Sequence, residues 1–275
     1  MTSLSVFLTE QLPSEGAETT LDGAEGRHAA TVRRLRAGER LTLTDGHGEL
    51  ALCEVLDSGR DRLRLRVLRR ASEAAPVLQV TLAQALIKGQ RGELSVELAV
   101  EAGVDAIVPW RAARCVAHWE LGPRGAKALD RWQQTAREAA KQSRRAWFPP
   151  VTEPVSTSAL EQRCAAAAGC LVLHETATDA LPSVPLPAAG ELLLVVGPEG
   201  GITDAELASL TAAGGQPVRL GPTVLRSSSA GAVALGAIGA LSQRWLLRHS
   251  GDIWTADPRL ALHLSTQGRM HHLIE

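Results

Sequence analysis

Apolar and polar residues alternate with a period of two over much of residues 40–70. In the run 62–67 arginines hold the even positions and Leu or Val the odd ones, so an extended strand there would have one charged and one apolar face. Similar runs at 40–46 and 49–57 are followed by the turn-forming sequences DGHG and DSGRD. The pattern predicts a small antiparallel sheet or barrel, preceded by a short helix within 26–39.

Beyond Pro76, short apolar runs alternate with amphipathic segments. We predict strands at 80–87, 106–110, 170–175, 192–196 and 217–220. Helices are predicted at 93–102, at 127–142, from a Ser158–Glu161 capping box to Gly169, from a Thr203–Glu206 capping box to Gly214, and after the loop 221–231. This alternation predicts a parallel sheet covered on both faces, with ligands at the carboxyl ends of its strands.

Two of these helices have an apolar stripe that predicts which face is buried. In helix 93–102 the stripe consists of Leu94, Leu98 and Ala102. In helix 127–142 the predicted buried face is Leu129, Trp132, Ala136, Ala139 and Ala140, and the predicted polar face is Gln134, Glu138, Lys141 and Gln142.

The charges are unevenly placed, although the 275 residues have a formal net charge of only −1. Between residues 111 and 145 nine Lys or Arg face three acids, whereas between 146 and 218 a single Arg163 faces eight acids. A basic block of this kind is able to meet phosphates. A solvated charged helix explains the same block equally well.

Other features of the composition exclude several classes of protein. The four cysteines form no CxxC pair and have no His at zinc-ligand spacing, so we predict no metal site and no disulfide framework, as in a reducing cytoplasm. The N-terminus lacks the pattern of a signal peptide, and the apolar stretch 230–241 is short and rich in glycine. We therefore expect a cytoplasmic protein without a membrane partner.

Two glycine-containing loops follow predicted strands, GPEGG at 197–201 and GPTVLRSSS at 221–229. Neither is a GxGxxG or a GxxxxGK[ST] motif, so a dinucleotide or P-loop site is poorly supported. Because both follow strands of one parallel sheet, they would lie side by side and form a pocket lined by backbone N–H and C=O groups. Such a pocket suits a neutral ligand with a polar edge, such as an adenine nucleoside.

The two loops and three further segments resemble the RsmE-type methyltransferases of 16S ribosomal RNA, in the SPOUT superfamily. GPEGGITDAEL and RLGPTVLRSSSA match the paired signature of that family. GRHAATVRRLRAGERLTLTDGHG, ELAVEAGVDAIVPWRAARCV and REAAKQSRRAWFPPV match its other motifs in the same order. The resemblance covers roughly residues 5–247.

The resemblance implies a fold, a cofactor and partners. It implies a PUA-like RNA-binding β domain at 1–75 and an α/β SPOUT methyltransferase domain at 76–248 with a C-terminal trefoil knot, leaving 249–275 as an appendage of unknown role. It also implies S-adenosyl-L-methionine as methyl donor, a homodimer, and N3 of a uridine in the decoding region of 16S rRNA, within the small ribosomal subunit, as the target.

Three sets of site residues follow. Arg226, between the second loop and the last helix, is the candidate catalytic residue because a cation there would face the negative charge that develops on the base. The candidate cofactor contacts are Leu173, His174, Gly197, Pro198, Glu199, Gly200, Gly201, Leu220, Gly221, Leu225 and Ser228. The candidate RNA contacts are Arg33, Arg34, Arg36, Arg114, Gln142 and Arg145.

The chain departs from the family pattern at the second loop, where Ser227, Ser228 and Ser229 replace a triplet that usually contains an acid. This leaves the proton acceptor open and keeps two alternatives. One is another SPOUT enzyme that methylates a ribose 2′-hydroxyl or a tRNA base. The other is a non-catalytic RNA-binding assembly factor on the same fold.

Overall fold

The computed structural model describes residues 4–119, 122–246 and 254. The chain divides into two compact units. The first contains described residues 4–75, 144–147 and Trp254, and the second contains 76–119, 122–143 and 148–246. Apart from Trp254, the predicted appendage 249–275 lies outside the described residues.

The first unit is built on a five-stranded mixed sheet. Its elements are β1 (Val6–Leu8), β2 (Glu18–Leu21), α1 (Gly23–Arg27) continuing into a π-helical turn (His28–Val32), β3 (Arg40–Thr44), β4 (Glu49–Ser58) and β5 (Leu63–Ser72). The strand order is β1-β3-β4-β5-β2, with β1 parallel to β3 and the other pairs antiparallel. Two register shifts in the β4–β5 ladder allow this sheet to curl.

The period-two pattern is confirmed in β5, where Leu63, Leu65 and Val67 are buried and the intervening arginines are exposed. The apolar face packs on Phe7, Leu41 and other buried residues of the unit. Residues 144–147 return to this unit after the long helix of the other. The Trp147 indole N–H donates to the Glu73 carbonyl at 2.8 Å, and Ala146 packs with residues of β4.

The second unit is a five-stranded parallel sheet with helices between its strands. Its elements are β6 (Leu78–Ala85), α2 (Gln90–Glu101), β7 (Ala106–Trp110), α3 (Pro123–Gln142), α4 (Thr157–Ala166), β8 (Gly169–Leu173), β9 (Gly190–Val196), α5 (Asp204–Ala212), β10 (Gly215–Val218) and α6 (Ser227–Leu241). The strand order is β10-β8-β9-β6-β7. Residues 192–196 of β9 are all buried, as expected of a central parallel strand.

At the amino end of this sheet an ion pair fastens the segment that follows α6. The Arg244 guanidinium lies 2.8 Å from the Asp105 carboxylate, and both side chains are largely buried. Arg244 also donates to the carbonyls of Leu78 and Gly103, while Asp105 accepts the Val80 N–H at 2.7 Å. The amino ends of β6 and β7 are therefore linked to the segment that directly follows α6.

The sequence-based predictions failed at four places. In α2, Leu94 is exposed and Leu98 is half-buried, because the helix turns Val96, Ala99 and Val100 into the core. Lys141 of α3 is only 7% exposed, with its amine 2.9 Å from Glu138. The remaining two concern helix starts: α4 is capped by the Ser156 side chain, not by a Ser158–Glu161 box, and Ser227–Ser229 form the first turn of α6 instead of a loop.

Among the described residues, no helix is both long and apolar enough to cross a membrane.

Candidate functional site

The two glycine loops enclose one pocket of about 620 Å³ at the carboxyl ends of β8, β9 and β10. Its walls are formed by residues 173–176, 196–202 and 218–228, together with single side chains from other elements. The pocket brings together every residue predicted as a cofactor contact: Leu173, His174, Gly197, Pro198, Glu199, Gly200, Gly201, Leu220, Gly221, Leu225 and Ser228. Arg114 and Arg226 line it as well.

The first loop, 197–202, needs glycine because it packs closely against the rest of the chain. A Cβ atom on Gly197 would lie 2.6 Å from Cγ1 of Ile202, and one on Gly200 would lie 3.1 Å from Cβ of Arg114. The Arg114 guanidinium donates to the Gly200 carbonyl at 3.1 Å. These glycines therefore serve the loop's own packing, besides leaving its backbone open to a ligand.

Glu206 fixes the end of this loop. Its carboxylate accepts the Thr203 N–H at 3.0 Å in a complete capping box, which confirms the predicted start of α5. It also accepts the Ala113 N–H at 2.7 Å, from the segment that follows β7. Burial acts to raise the pKa of Glu206, but the hydrogen bonds from Ala113 and Thr203 outweigh it, and the pKa lies below its ordinary value.

A buried hydrogen-bond relay joins the first loop to the start of α6. The Ser227 hydroxyl donates to the Gly197 carbonyl and accepts from the Gln84 amide at 3.2 Å. Gln84, near the end of β6, is 1% exposed, and its Oε1 atom has no partner among the described residues. Gln84 was not predicted as a functional residue, although a single glutamine within an apolar strand is a usable signal. The relay connects the ends of β6 and β9 to the wall that carries Arg226.

The second loop makes fewer hydrogen bonds to the rest of the chain than the first loop does. The preceding strand end is fixed, since the Arg219 N–H donates to the Asp179 carbonyl at 2.9 Å and the Leu181 N–H donates to the Arg219 carbonyl at 3.0 Å. Residues 220–225 make no hydrogen bond to any described residue, and Val224 is 76% exposed. The hydrogen bonds that hold this wall of the pocket therefore lie at its two ends, at Arg219 and at Ser227.

Several polar side chains lie on the pocket wall. Arg226 precedes α6 and is exposed, and Arg91, which the sequence analysis did not single out, reaches the pocket from the first turn of α2. Nδ1 of His174 lies 2.9 Å from the Thr176 hydroxyl and 3.4 Å from the Thr176 backbone nitrogen, so its hydrogen bonds stay within residues 174–176. Glu199 is exposed. Within the described residues, no group of three or more His, Cys, Asp or Glu side chains is arranged to hold a metal ion.

The remaining predicted RNA contacts are dispersed. Gln142 lies outside the pocket, in a groove lined by the glutamates Glu93, Glu97, Glu101 and Glu138. Arg145 is half-buried near Glu73: burial raises the pKa of Glu73 and the charge of Arg145 opposes that rise.

Arg33, Arg34 and Arg36 are exposed on the segment after the π-helical turn of the first unit. The Arg33 guanidinium donates to the Ser5 hydroxyl at 2.8 Å, and Arg34 has a positive φ of 55°. The Thr31 hydroxyl joins this segment to the turn at Arg60, whose carbonyl it donates to at 2.9 Å. Together these side chains give the first unit a basic surface.

Comparison with known proteins finds a matching domain family for each of the two units. A family model for an RNA methyltransferase domain matches residues 73–239, and one for an RNA methyltransferase PUA domain matches residues 21–68. The chain is 55% identical over 244 residues to ribosomal RNA small subunit methyltransferase E of Mycobacterium bovis, covering 87% of this chain and 93% of that protein. Its counterpart in Bacillus subtilis is 33% identical over 242 residues, covering 85% and 94%.

Solved structures give the same result for the fold. The enzyme of that name from Neisseria gonorrhoeae, bound to S-adenosyl methionine, superposes with a TM-score of 0.78 at 28% identity, covering 87% of this chain and 98% of the other. A methyltransferase from Legionella pneumophila, in complex with bound SAM, also has a TM-score of 0.78, at 27% identity and the same coverage.

Proposed function

The chain belongs to the ribosomal RNA small subunit methyltransferase E family, and we propose that it methylates N3 of a uridine in the decoding region of 16S rRNA. The chain is an RNA methyltransferase that uses S-adenosylmethionine. The observation that carries the finer proposal is the single pocket in which two strand-end loops meet, with Arg226 between the second loop and α6.

The pocket suits the methyl donor. When bound, S-adenosylmethionine supplies a sulfonium methyl group and leaves as S-adenosylhomocysteine. The close-packed glycines of the first loop present backbone N–H and C=O groups without side chains, which fits the polar edge of an adenine ring. Glu199 and His174 line the pocket: in the proposed complex the Glu199 carboxylate accepts hydrogen bonds from ribose hydroxyls, and the imidazole of His174 is a further polar contact.

The chemical task of the protein concerns the base. The N3 lone pair forms the new N–C bond while the S–C bond breaks and its electrons stay on sulfur, so the N3 proton must leave. A cation beside the uracil oxygens stabilises the anion that results, and Arg226 is free to do so, because its guanidinium donates to no described residue. Ser228 stands where the resemblance leads one to expect an acid, so this chain relies on electrostatic stabilisation and releases the proton to water.

Recognition of RNA would use basic side chains. N3 is on the pairing edge of uracil, so the base must be unpaired or flipped into the pocket. Arg33, Arg34, Arg36 and Arg114 are the strongest candidates for phosphate contacts. Gln142 among glutamates and Arg145 beside Glu73 are weaker ones. Affinity for RNA should fall steeply with salt, since each neutralised phosphate releases counterions.

The same proposal includes the assembly and place of action. A homodimer and a trefoil knot formed by the C-terminal loops are expected from the family. α6 leaves Val233 and Leu241 about half exposed, followed by an exposed Trp245, which supports a second copy covering this helix. Because the substrate is a ribosomal subunit, we propose that the protein acts in the cytoplasm.

The decisive experiment is to map the methylated atom. Small ribosomal subunits that lack the modification are incubated with the protein and with S-adenosylmethionine labelled on the methyl group. The labelled nucleotide is then located in the 16S rRNA, and hydrolysis to nucleosides identifies the methylated atom. We expect N3-methyluridine at a single site, and labelling at least about 10²-fold slower with an Arg226→Ala protein prepared in parallel. Label on a ribose hydroxyl or on another base would refute the proposed specificity.

A further inference from the structure

The arginines of the pocket fall into two classes. Arg114 and Arg219 donate to backbone carbonyls of the protein, those of Gly200 and Thr178. Arg91 and Arg226 line the pocket and make no hydrogen bond or ion pair to any described residue. All five N–H donors of each of these two guanidinium groups are therefore available to a ligand.

Arg91 is held in place by its surroundings. It is the second residue of α2, which begins after Gly89, where φ is +67°. The next residue, Gly92, is buried, and a Cβ atom there would lie 3.1 Å from Nε1 of the buried Trp132. The Ser95 hydroxyl donates to the Gly92 carbonyl at 2.7 Å. The backbone that carries Arg91 is thus fixed from the side of the core, and its side chain extends into the pocket.

Arg91 and Arg226 come from different parts of the unit. Arg91 follows β6, and Arg226 directly precedes α6. The two helices pack against each other, and the Gln84–Ser227 hydrogen bond ties the end of β6 to the start of α6. The fold therefore sets the relative position of the two backbone sites from which these side chains reach the pocket.

The chemistry of the base calls for two donors. Loss of the N3 proton spreads negative charge over N3, O2 and O4. N3 must stay open to attack, so the protein can stabilise the charge only at the two oxygens that flank it. One guanidinium placed to serve both oxygens would cover N3. Ser228 offers no carboxylate to take the proton, which makes this stabilisation more important.

We propose that Arg91 is a second catalytic residue, which donates to one carbonyl oxygen of the target uracil while Arg226 donates to the other. This inference rests on the proposed uridine-N3 activity. The rival role for Arg91 is a contact to a phosphate next to the target nucleotide. The two roles differ in one respect: only the first depends on the acidity of N3–H.

The experiment exploits that difference. Arg91→Ala is assayed on unmodified small subunits from cells grown with or without 5-fluorouracil, because 5-fluorouridine has a more acidic N3–H. With uridine we expect kcat to fall about 10²-fold, with the Kd for S-adenosylmethionine within a few-fold of wild type. With 5-fluorouridine, and with uridine at raised pH, the deficit should shrink to about tenfold or less. Arg91→Lys should recover part of the rate.

The matched control is Lys88→Ala, which removes an exposed cation three residues earlier that does not line the pocket. It should leave kcat unchanged on both substrates. An Arg91→Ala deficit that is equal for uridine and 5-fluorouridine, or one confined to KM, would overturn the inference in favour of a phosphate contact, and a wild-type rate would overturn both roles. If wild-type protein itself does not label N3, the proposed function fails, whatever Arg91 does.

Discussion

The two loops that form the pocket differ in how the rest of the chain holds them. The first loop is fastened at Gly197 by Ser227, at Gly200 by Arg114 and at its end by Glu206. On the side of the second loop, residues 220–225 have no hydrogen bond to the described part of the chain. The comparison suits the proposed division of labour, in which a preformed wall holds the methyl donor and a looser wall leads to Arg226, the residue proposed to face the base.

The largest effect should come from the looser wall. Arg226→Ala should lower the methylation rate at saturating substrates by about 10²–10³-fold, because a cationic donor to the developing anion is removed. The Kd for S-adenosylmethionine, measured by calorimetry, should stay within a few-fold. Arg219→Ala is the control, since that guanidinium already donates to the Thr178 carbonyl. If Arg226→Ala turns over at nearly the wild-type rate, the proposed catalytic role of the second loop's side of the pocket is wrong.

A change in the fastened loop should act on the donor instead. Gly197→Ala introduces a Cβ atom 2.6 Å from Cγ1 of Ile202, a clash that overpacked sites relieve at a cost of about 1–3 kcal/mol. We expect a Kd for S-adenosylmethionine about 10-fold or more above wild type. The double variant Gly197→Ala with Ile202→Ala removes the clashing atom and should recover part of the affinity. No change in Kd for the single variant would show that the loop is less rigid than its contacts indicate.

Acid should weaken the fastening of the first loop through Glu206. The pKa of Glu206 is lower in the folded chain than in the unfolded one, so its carboxylate stabilises the fold above the unfolded pKa of about 4.3. That contribution is lost as pH falls through the lower, folded pKa. Glu206→Gln should therefore reduce the free energy of unfolding at pH 7 by about 1–3 kcal/mol, with the difference from wild type closing as the pH falls below about 4.

Urea unfolding from pH 7 down to pH 3 measures this, with the exposed Glu153→Gln as control. A difference between Glu206→Gln and wild type that is independent of pH would mean that the side chain's shape, not its charge, holds the loop.

The position of the pocket could be predicted from the sequence, but the contacts that hold the two loops differently could not. The pocket residues followed from a rule about strand ends, because a parallel sheet brings its loops together whatever their details. The contacts that differentiate the loops were not predictable, since Gln84 and Ser227 are 143 positions apart and no periodicity relates them. β1 and β2 are too short for an alternating pattern. In α2 the spacing of Leu94 and Leu98 suited a stripe, but Val96, Ala99 and Val100 occupy the core.

The relay at Ser227 predicts a smaller effect that joins the two loops. Ser227→Ala removes the donor to the Gly197 carbonyl and should raise the Kd for S-adenosylmethionine about 5–10-fold, equivalent to roughly 1 kcal/mol. Ser227→Thr keeps the hydroxyl and should bind nearly as wild type. Thr81→Val is the matched control, because it removes a buried hydroxyl that donates to Glu191 near the other end of the sheet. If Ser227→Ala and Thr81→Val lose equal affinity for S-adenosylmethionine, the Ser227 hydrogen bonds contribute only to the general stability of the fold and not to cofactor binding in particular.

The smallest effect, and the most direct measure of the contrast, is amide hydrogen exchange. Amides without hydrogen-bonded partners exchange through small local fluctuations, so 220–225 should exchange quickly in the free protein, while Gly201 and Thr203, whose N–H groups are bonded, should be protected. Adding S-adenosylmethionine should slow exchange at 220–225 and change 201–203 little, because only the second loop has order to gain on binding. Equal protection of both loops in the free protein would mean that the fold already fixes the second wall, and the division of labour would then rest on Arg226 alone.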